Sequence, residues 1–523
     1  MKVSRRQLLG SAAAAAALAA APEAFASVKE EKVDLVIVGG GLGGLAAANA
    51  AVNKGCKPLV LEKLPFLGGA GLFPEGSLGI GTRYQKEHGI HTTVQQALDA
   101  ALQFHHYRCD PAILRVLFEQ SARTIDEIMD MGIGLRGIRT MYPKNESLQC
   151  WHLFKGGAAA VCTKFIENIE RRGGRMLTNC PVSRLITTNG KVTGVEAVDK
   201  DRNKLIIHAK KVIVATGGFA ANKGMLAQYV FDSSALGMVE PIWLRGPVND
   251  GRTGDGINMC RLIGAGTSGM HAVAGNAPYL PDVPPINQFS GPDELKQGRC
   301  ALAQPWLWVD HTGRRFFNES RGSVFVDVYN AMTTAGGVLY TIFDQQKMDR
   351  MINKGAVLPF NAIVLANTPL KALPKTWEIG MQRGWAFKAN SIRELAQQIG
   401  VPPENLMDTM KKVNGYAEKG VDPEFGRRPE HLEKFDLEHG PYYALKGIRA
   451  FFLTLGGVTV TPNFEVKTPQ GDVIPNLYVI GQDIGGLYDS SYDLRCEGSA
   501  SSFAMTSGRV AAEHALAQIQ KGA

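Results

Sequence analysis

The chain is predicted to be an α/β protein in which one parallel-sheet domain is interrupted by an inserted α+β unit. Three observations carry this. An apolar, β-branched run passes directly into a glycine turn and a small-residue helix between Asp34 and Gly55. The same pattern returns near the end, with Leu477 to Gly481, Gly485-Gly486 and a small-residue helix from Gly498. Between residues 270 and 452 the composition shifts towards proline, aromatics and charge, and such motifs stop. Residues 27–270 and 453–523 are therefore expected to form one domain and 271–452 the insert.

Residues 1–26 stand outside that fold. Ser4-Arg5-Arg6-Gln7-Leu8-Leu9, an alanine-rich apolar run and Ala24-Phe25-Ala26 read as a twin-arginine export signal with its cleavage site. The run is too short and weakly apolar to favour a retained anchor, and no later stretch is expected to span a bilayer. The expected location is the periplasm or the outside of the cytoplasmic membrane.

Val33 to Val38 then reads as a buried parallel strand, and Gly39, Gly41 and Gly44 fit GxGxxG, with Gly43 inside the turn. The first glycine permits the turn and the second lets backbone N–H groups approach a pyrophosphate. The third lets the helix pack on the strand, while its N-terminus stabilises phosphate charge. A second strand, Lys57 to Leu61, ends at Glu62, where a carboxylate accepts hydrogen bonds from a ribose. That acid weighs against a glycine turn without ligand. The stretch is a Rossmann-like dinucleotide site.

Gly68-Gly69-Ala70-Gly71 follows, again bringing backbone close to a flat ligand. Residues 92–132 have helical apolar spacing, and Gly156-Gly157 opens a helix running towards Arg172. Alternating strands (182–188, 191–198, 204–209) lead to Lys211–Phe219, a strand ending in the turn Ala215-Thr216-Gly217-Gly218. Thr253-Gly254-Asp255-Gly256 begins another helix.

The length of 523 residues supports two or three domains. A net charge of +8, with no basic cluster interleaved by aromatics, argues against nucleic acid as a partner. Eight cysteines contain no CxxC, so neither haem attachment nor an iron–sulfur or zinc spacing is present, and no metal is expected. Which cysteines pair in an oxidising compartment stays open.

The five glycine-bearing motifs, taken in order with Ile474-Pro475-Asn476-Leu477-Tyr478 before the last, resemble FAD-binding flavoproteins of the fumarate reductase/succinate dehydrogenase type. That family includes urocanate reductases and 3-ketosteroid Δ1-dehydrogenases. The resemblance implies FAD, held without a covalent link by Gly39, Gly41, Gly43, Gly44, Glu62, Lys63, Gly68, Gly69, Ala70, Ala215, Thr216, Gly217, Gly218, Thr253, Asp255, Gly256, Gln482, Asp483, Ser499 and Ala500. It also makes the insert a capping domain that closes over the flavin. Gly313 to Glu319 (GRRFFNE) matches the family's GxRFxNE element there; taken alone it would be a hairpin turn with structural polar side chains.

In such enzymes hydride passes to an activated C=C bond while the protein polarises the substrate and supplies a proton. Arg495, in Leu494-Arg495-Cys496-Glu497-Gly498-Ser499-Ala500, aligns with the arginine that clamps a substrate carboxylate; packing on a helix end is its structural alternative. The proton-donating arginine of the family falls at Ser323, so Arg321, two residues after Glu319, is the nearest candidate. Tyr492 and His271 are the other acid/base candidates. His152 is a lone histidine, more often structural.

The family's His-Thr-x-Gly-Gly-Val element reads Leu453-Thr454-Leu455-Gly456-Gly457-Val458, making Leu453, Thr454 and Gly456 the substrate-facing set. Losing that histidine argues against a C4-dicarboxylate. Phe451, Phe452 and Leu453 would line an apolar end suited to a monocarboxylate or aromatic enoate, or else serve as ordinary core. The expected function is an exported, respiratory FAD reductase of an α,β-unsaturated carboxylate. A separate donor, a cytochrome c or membrane quinol dehydrogenase, would supply its electrons. Its rivals are a ketosteroid-type Δ1-dehydrogenase, favoured by Ser491-Tyr492, and a flavin-binding electron-transfer protein without substrate chemistry.

Overall fold

The computed structural model describes residues 26–140, 147–230, 243–244, 251–283, 288, 291–361 and 363–522. The expected export signal lies outside them, apart from Ala26. Strand β1 (Val28–Val38) continues into helix α1 (Leu42–Asn53), and Leu35, Val36 and Ile37 are fully buried. Burial of such side chains contributes about 1.5–3 kcal/mol each. The strand begins ahead of the apolar run, because Val28 to Val38 pairs in parallel with β6 (Lys204–Val214) along nearly its whole length. For the same reason β6 is continuous where the sequence pattern divides it: Lys210 turns outward and meets Asp34 at 2.7 Å.

Between them run β2 (Leu59–Leu61), β3 (Arg175–Leu177), β4 (Val182–Thr188) and β5 (Lys191–Val198), and near the end of the chain come β12 (Glu465–Lys467) and β13 (Val473–Val479). Among the described residues these strands make one sheet in the order β12-β13-β6-β1-β2-β3, with β4 and β5 joined to it through β6. The inner pairs β13–β6, β6–β1, β1–β2 and β2–β3 are parallel. Their C-terminal ends all lie on one edge. The parallel core is thus closed by a strand from near the end of the chain.

The helical stretch predicted over 92–132 is two helices, α2 (Val94–Phe104) and α3 (Pro111–Asp130). His106 and Tyr107 take positive φ between them, Pro111 begins the second, and Asp110 accepts from the N–H groups of Ala112 (2.9 Å) and Ile113 (3.3 Å). Proline lacks the N–H that helix continuation needs and suits a first turn.

A second sheet is built on β11 (Tyr442–Thr454). It pairs antiparallel with β7 (Val273–Tyr279), β9 (Val338–Asp344) and β10 (Ala386–Ala389), while β8 (Trp308–Val309) extends it beyond β9. Helix α4 (Asp255–Leu262) precedes this region and packs on β4, while α5 (Asp293–Leu302) and α6 (Phe325–Thr334) cover it. Within it GRRFFNE ties the chain together, since buried Arg315 meets Glu319 at 2.6 Å and Asp422 at 2.7 Å. Burial opposes ionisation of Asp422, yet the Arg315 guanidinium and nearby backbone N–H groups hold its pKa below the usual range. Finally, α7 (Ser499–Gln520) packs on α1 through small residues; a Cβ at Gly508 would come within 2.4 Å of the Gly43 carbonyl.

Candidate active site

The C-terminal ends of β1, β2, β6 and β13 surround an open cleft of about 1170 Å³. Glycines set its shape. Gly39 has φ +108°, and a Cβ there would sit 2.3 Å from the Ala215 carbonyl. A Cβ on Gly44 would sit 1.9 Å from the Gly39 carbonyl, so this glycine is required by the strand–helix contact. Gly41 differs: the nearest atom to its Cβ position is the Gly68 carbonyl, 3.9 Å away, and the position faces the cleft. It is also the N-cap of α1, without a side-chain cap. A helix N-terminus behind an unobstructed glycine backbone fits a pyrophosphate.

Glu62 lines the cleft with its carboxylate fixed by the N–H groups of Gly40 (2.7 Å) and Leu64 (2.8 Å). Lys63 reaches Thr253 Oγ1 at 2.5 Å and Asp255 at 2.6 Å, closing one side. Asp483 is buried behind the opposite wall. It accepts from the N–H groups of Thr216, Gly217 (3.2 Å) and Gly218 (2.8 Å) and from Thr216 Oγ1 (2.9 Å). Burial raises its pKa, with those donors working in the opposite direction. This clasp joins the turn after β6 to the segment after β13. The cradle, its acid and its helix N-terminus fit FAD.

Of the predicted cofactor residues, Gly39, Gly41, Gly43, Glu62, Lys63, Gly69, Ala70, Ala215, Thr216, Gly217, Asp255, Gln482 and Ala500 line the cleft. Gly44, Gly68, Gly218, Thr253, Gly256, Asp483 and Ser499 stand behind the wall as its supports. Gly256, for example, donates to Thr216 Oγ1 at 3.0 Å. Leu453 is in the wall as expected. Thr454 and Gly456 are not: Thr454 Oγ1 accepts from Phe219 N–H at 3.2 Å, and a Cβ on Gly456 would meet the Gly269 carbonyl at 2.2 Å. Arg252, Val182, Ser501 and Ala504 also line the cleft, although no sequence motif marks them. Arg252 donates to the Phe452 carbonyl at 2.5 Å, and its place directly before Thr253-Gly254 is the one signal that points to it.

The four expected catalytic residues lie apart from one another in the structure. Arg495 turns towards α2, donating to the Ala100 carbonyl and to Asp493 (3.3 Å), with its guanidinium 4.9 Å from the centre of the Phe104 ring. In this structure it makes the helix contact and is not among the residues that line the cleft. Arg321 is engaged by Asp327 at 2.7 Å and His271 is exposed; neither lines the cleft. Tyr492 remains close. It is buried, its hydroxyl accepts from the N–H of Ala500 (3.2 Å) in the cleft wall, and burial pushes its pKa up to about 12. Its ring lies edge-on to Phe452 (5.8 Å), which in turn lies edge-on to Phe325 (6.1 Å). The neighbouring Tyr488 hydroxyl is 2.9 Å from Ser499 Oγ.

The model of the FAD binding domain family matches residues 34–498. The chain is 30% identical over 497 residues to a vinyl phenol reductase of Lactiplantibacillus plantarum, covering 93% of this chain and 97% of that relative. It is 27% identical over 472 residues to an NADH:fumarate oxidoreductase of Klebsiella pneumoniae, covering 90% of this chain but 46% of the relative, so it spans about half that protein's length. Among solved structures, the open conformation of a flavocytochrome c3 fumarate reductase superposes with a TM-score of 0.65 at 23% identity, over 97% of this chain and 81% of that one. That likeness is one of fold.

Proposed function

This chain belongs to the FAD binding domain family and is an FAD-dependent oxidoreductase; on that premise we propose that it reduces the C=C bond of an alkene with an apolar, aryl-bearing body. The observation that carries this reading is Leu453 in the cleft wall, next to the Phe325–Phe452–Tyr492 ring series, while Arg495 faces elsewhere. Arg252 brings one guanidinium to the wall, engaged by the Phe452 carbonyl, and Leu453 stands beside it as an apolar side chain, which disfavours a dicarboxylate whose second desolvated charge would lack a partner there. The names of the relatives, reductases of vinyl phenol and of fumarate, support C=C reduction as the shared chemistry.

Bound flavin supplies the hydride. Gly41 and the start of α1 hold the pyrophosphate, and Glu62 holds the ribose. Leu453 and Phe452 exclude water from the apolar side. Tyr492 holds a proton at its hydroxyl oxygen under neutral conditions and is the donor we assign in place of Arg321. FAD is held non-covalently in this reading. Residues 1–26 direct export, and a separate redox partner, a cytochrome c or membrane quinol dehydrogenase, delivers electrons for respiration. No helix among the described residues is long and apolar enough to cross a membrane.

Anaerobic turnover with reduced viologen tests the reading across fumarate, cinnamate-type acids, vinyl-substituted aromatics and a 3-ketosteroid. Aryl alkenes should turn over fastest, and Tyr492→Phe should keep reducible flavin while losing at least about tenfold in kcat. Fumarate or the steroid as best substrate would overturn it.

A further inference from the structure

The segment after β13 and the start of α7 bring three hydroxyl groups together behind the cleft wall. Tyr488 and Tyr492 are both buried, with ring centres 5.3 Å apart. Ser499, the first residue of α7, meets both of their hydroxyls. Its Oγ lies 2.9 Å from the Tyr488 hydroxyl, and its side chain also hydrogen-bonds Tyr492. The next N–H of the helix, from Ala500, donates to the Tyr492 hydroxyl at 3.2 Å, and Ala500 itself lines the cleft.

Each of these hydroxyls has one proton to give. The Tyr492 oxygen already accepts from Ala500, so the order that leaves its own proton for the cleft runs one way: Tyr488 donates to Ser499, and Ser499 donates to Tyr492. A phenolate formed at Tyr492 then faces two donors at a helix N-terminus, where negative charge is stabilised. Burial raises the pKa of Tyr492 to about 12 and that of Tyr488 well above the ordinary 10, with the Ser499 hydrogen bonds working in the opposite direction. Both tyrosines therefore hold their protons at neutral pH, and Tyr488 releases one only as it receives another. Its end of the series is the one near solvent, because the following residue, Asp489, meets the exposed Arg108 at 3.0 Å.

We propose that Tyr488 and Ser499 form a proton relay that restores to Tyr492 the proton it gives to the substrate carbon. In each turnover the Tyr492 O–H bond breaks as a C–H bond forms. The Ser499 proton moves to the Tyr492 oxygen, the Tyr488 proton moves to Ser499, and solvent supplies one proton to Tyr488. The residues undergo no redox change, since both electrons travel with the hydride. Tyr488 and Ser499 act through Tyr492 as positioning residues, and the relay rests on the assignment of Tyr492 as donor above.

Sequential stopped-flow mixing of the FAD-loaded, viologen-reduced protein tests this, using whichever of the alkenes named above turns over fastest. The first pass consumes the proton already on Tyr492, and a second pass, started at once by re-reduction, needs it replaced. Tyr488→Phe should keep first-pass flavin oxidation within about twofold of the unaltered rate and slow the second pass at least about tenfold, with the larger solvent isotope effect in the second. Ser499→Ala should slow the second pass too, and Ser499→Thr, which restores a hydroxyl, should recover it. Another readout needs no turnover: in protein labelled with 3-fluorotyrosine, Ser499→Ala should move the fluorine resonances of both Tyr488 and Tyr492. Equal rates for the two passes in Tyr488→Phe, whether both unaltered or both slowed, would overturn the relay, as would unmoved resonances. The donor assignment fails separately, if Tyr492→Phe leaves the first pass at its unaltered rate, and it takes the relay with it. Reduction of none of the alkenes would overturn the reaction as well.

Discussion

Burial keeps the imidazole of His152 neutral. Its Nδ1–H donates to the Cys150 carbonyl at 2.8 Å, so its Nε2 accepts from the Thr82 hydroxyl, also at 2.8 Å. Desolvation lowers its pKa from the ordinary 6.5 to about 4. His105, buried near Asp489, is lowered to about 4 for the same principal reason. The unfolded chain therefore takes up protons below pH 6.5 that the folded chain refuses until about pH 4. Stability is fully present above 6.5 and falls through that window, by about 3 kcal/mol for His152 alone. Gln in place of His152 keeps a donor and an acceptor but does not titrate. Urea unfolding between pH 7 and 4 should show a shallower decline in His152→Gln than in the unaltered protein; equal slopes would remove His152 as the cause.

At the scale of elements, the strand–turn–helix from β1 to α1 separates two glycines of one motif by what each contacts. Gly41 faces the cleft, so Gly41→Val should purify without flavin and yet fold with a thermal midpoint near that of the flavin-free unaltered protein. Gly44 faces the Gly39 carbonyl, so Gly44→Ala forces the helix off the strand and should lose at least about 1–3 kcal/mol of stability along with the flavin. Flavin retained at full occupancy in Gly41→Val would displace the pyrophosphate from this turn. The roles of these positions are legible in the sequence because glycine spacing records local backbone needs: a turn, a close approach, a packed helix. The break between α2 and α3 is legible too, in Asp110-Pro111, although apolar periodicity runs straight across it. The direction of Arg495 is not. It depends on the Ala100 carbonyl, almost four hundred residues away in the chain, and no local pattern encodes that meeting.

Across the whole molecule, charge is unevenly invested. Arg315, Glu319 and Asp422 are almost completely buried, whereas Arg321 and Asp327 form a partly exposed pair. Glu319→Ala leaves Arg315 and nearby Arg427 short of a buried counter-charge and should cost about 3–5 kcal/mol. Arg321→Ala should cost at most about 1 kcal/mol. Thermal unfolding of the two variants side by side checks this, and comparable losses would contradict the burial argument.

The Asp483 clasp has a consequence in time. The wall of the cleft runs from Val38 to Ala504, and the turn after β6 is held by a side chain that the ribosome adds 265 residues after Gly218. Until then β6 lacks its neighbour β13, α1 lacks α7, and the nucleotide has half a seat. Contacts of such long sequence separation form slowly. The nascent chain must therefore wait, unsealed, for the segment around Asp483, and a chain released before it would carry the signature glycines without the means to keep what they are shaped to hold.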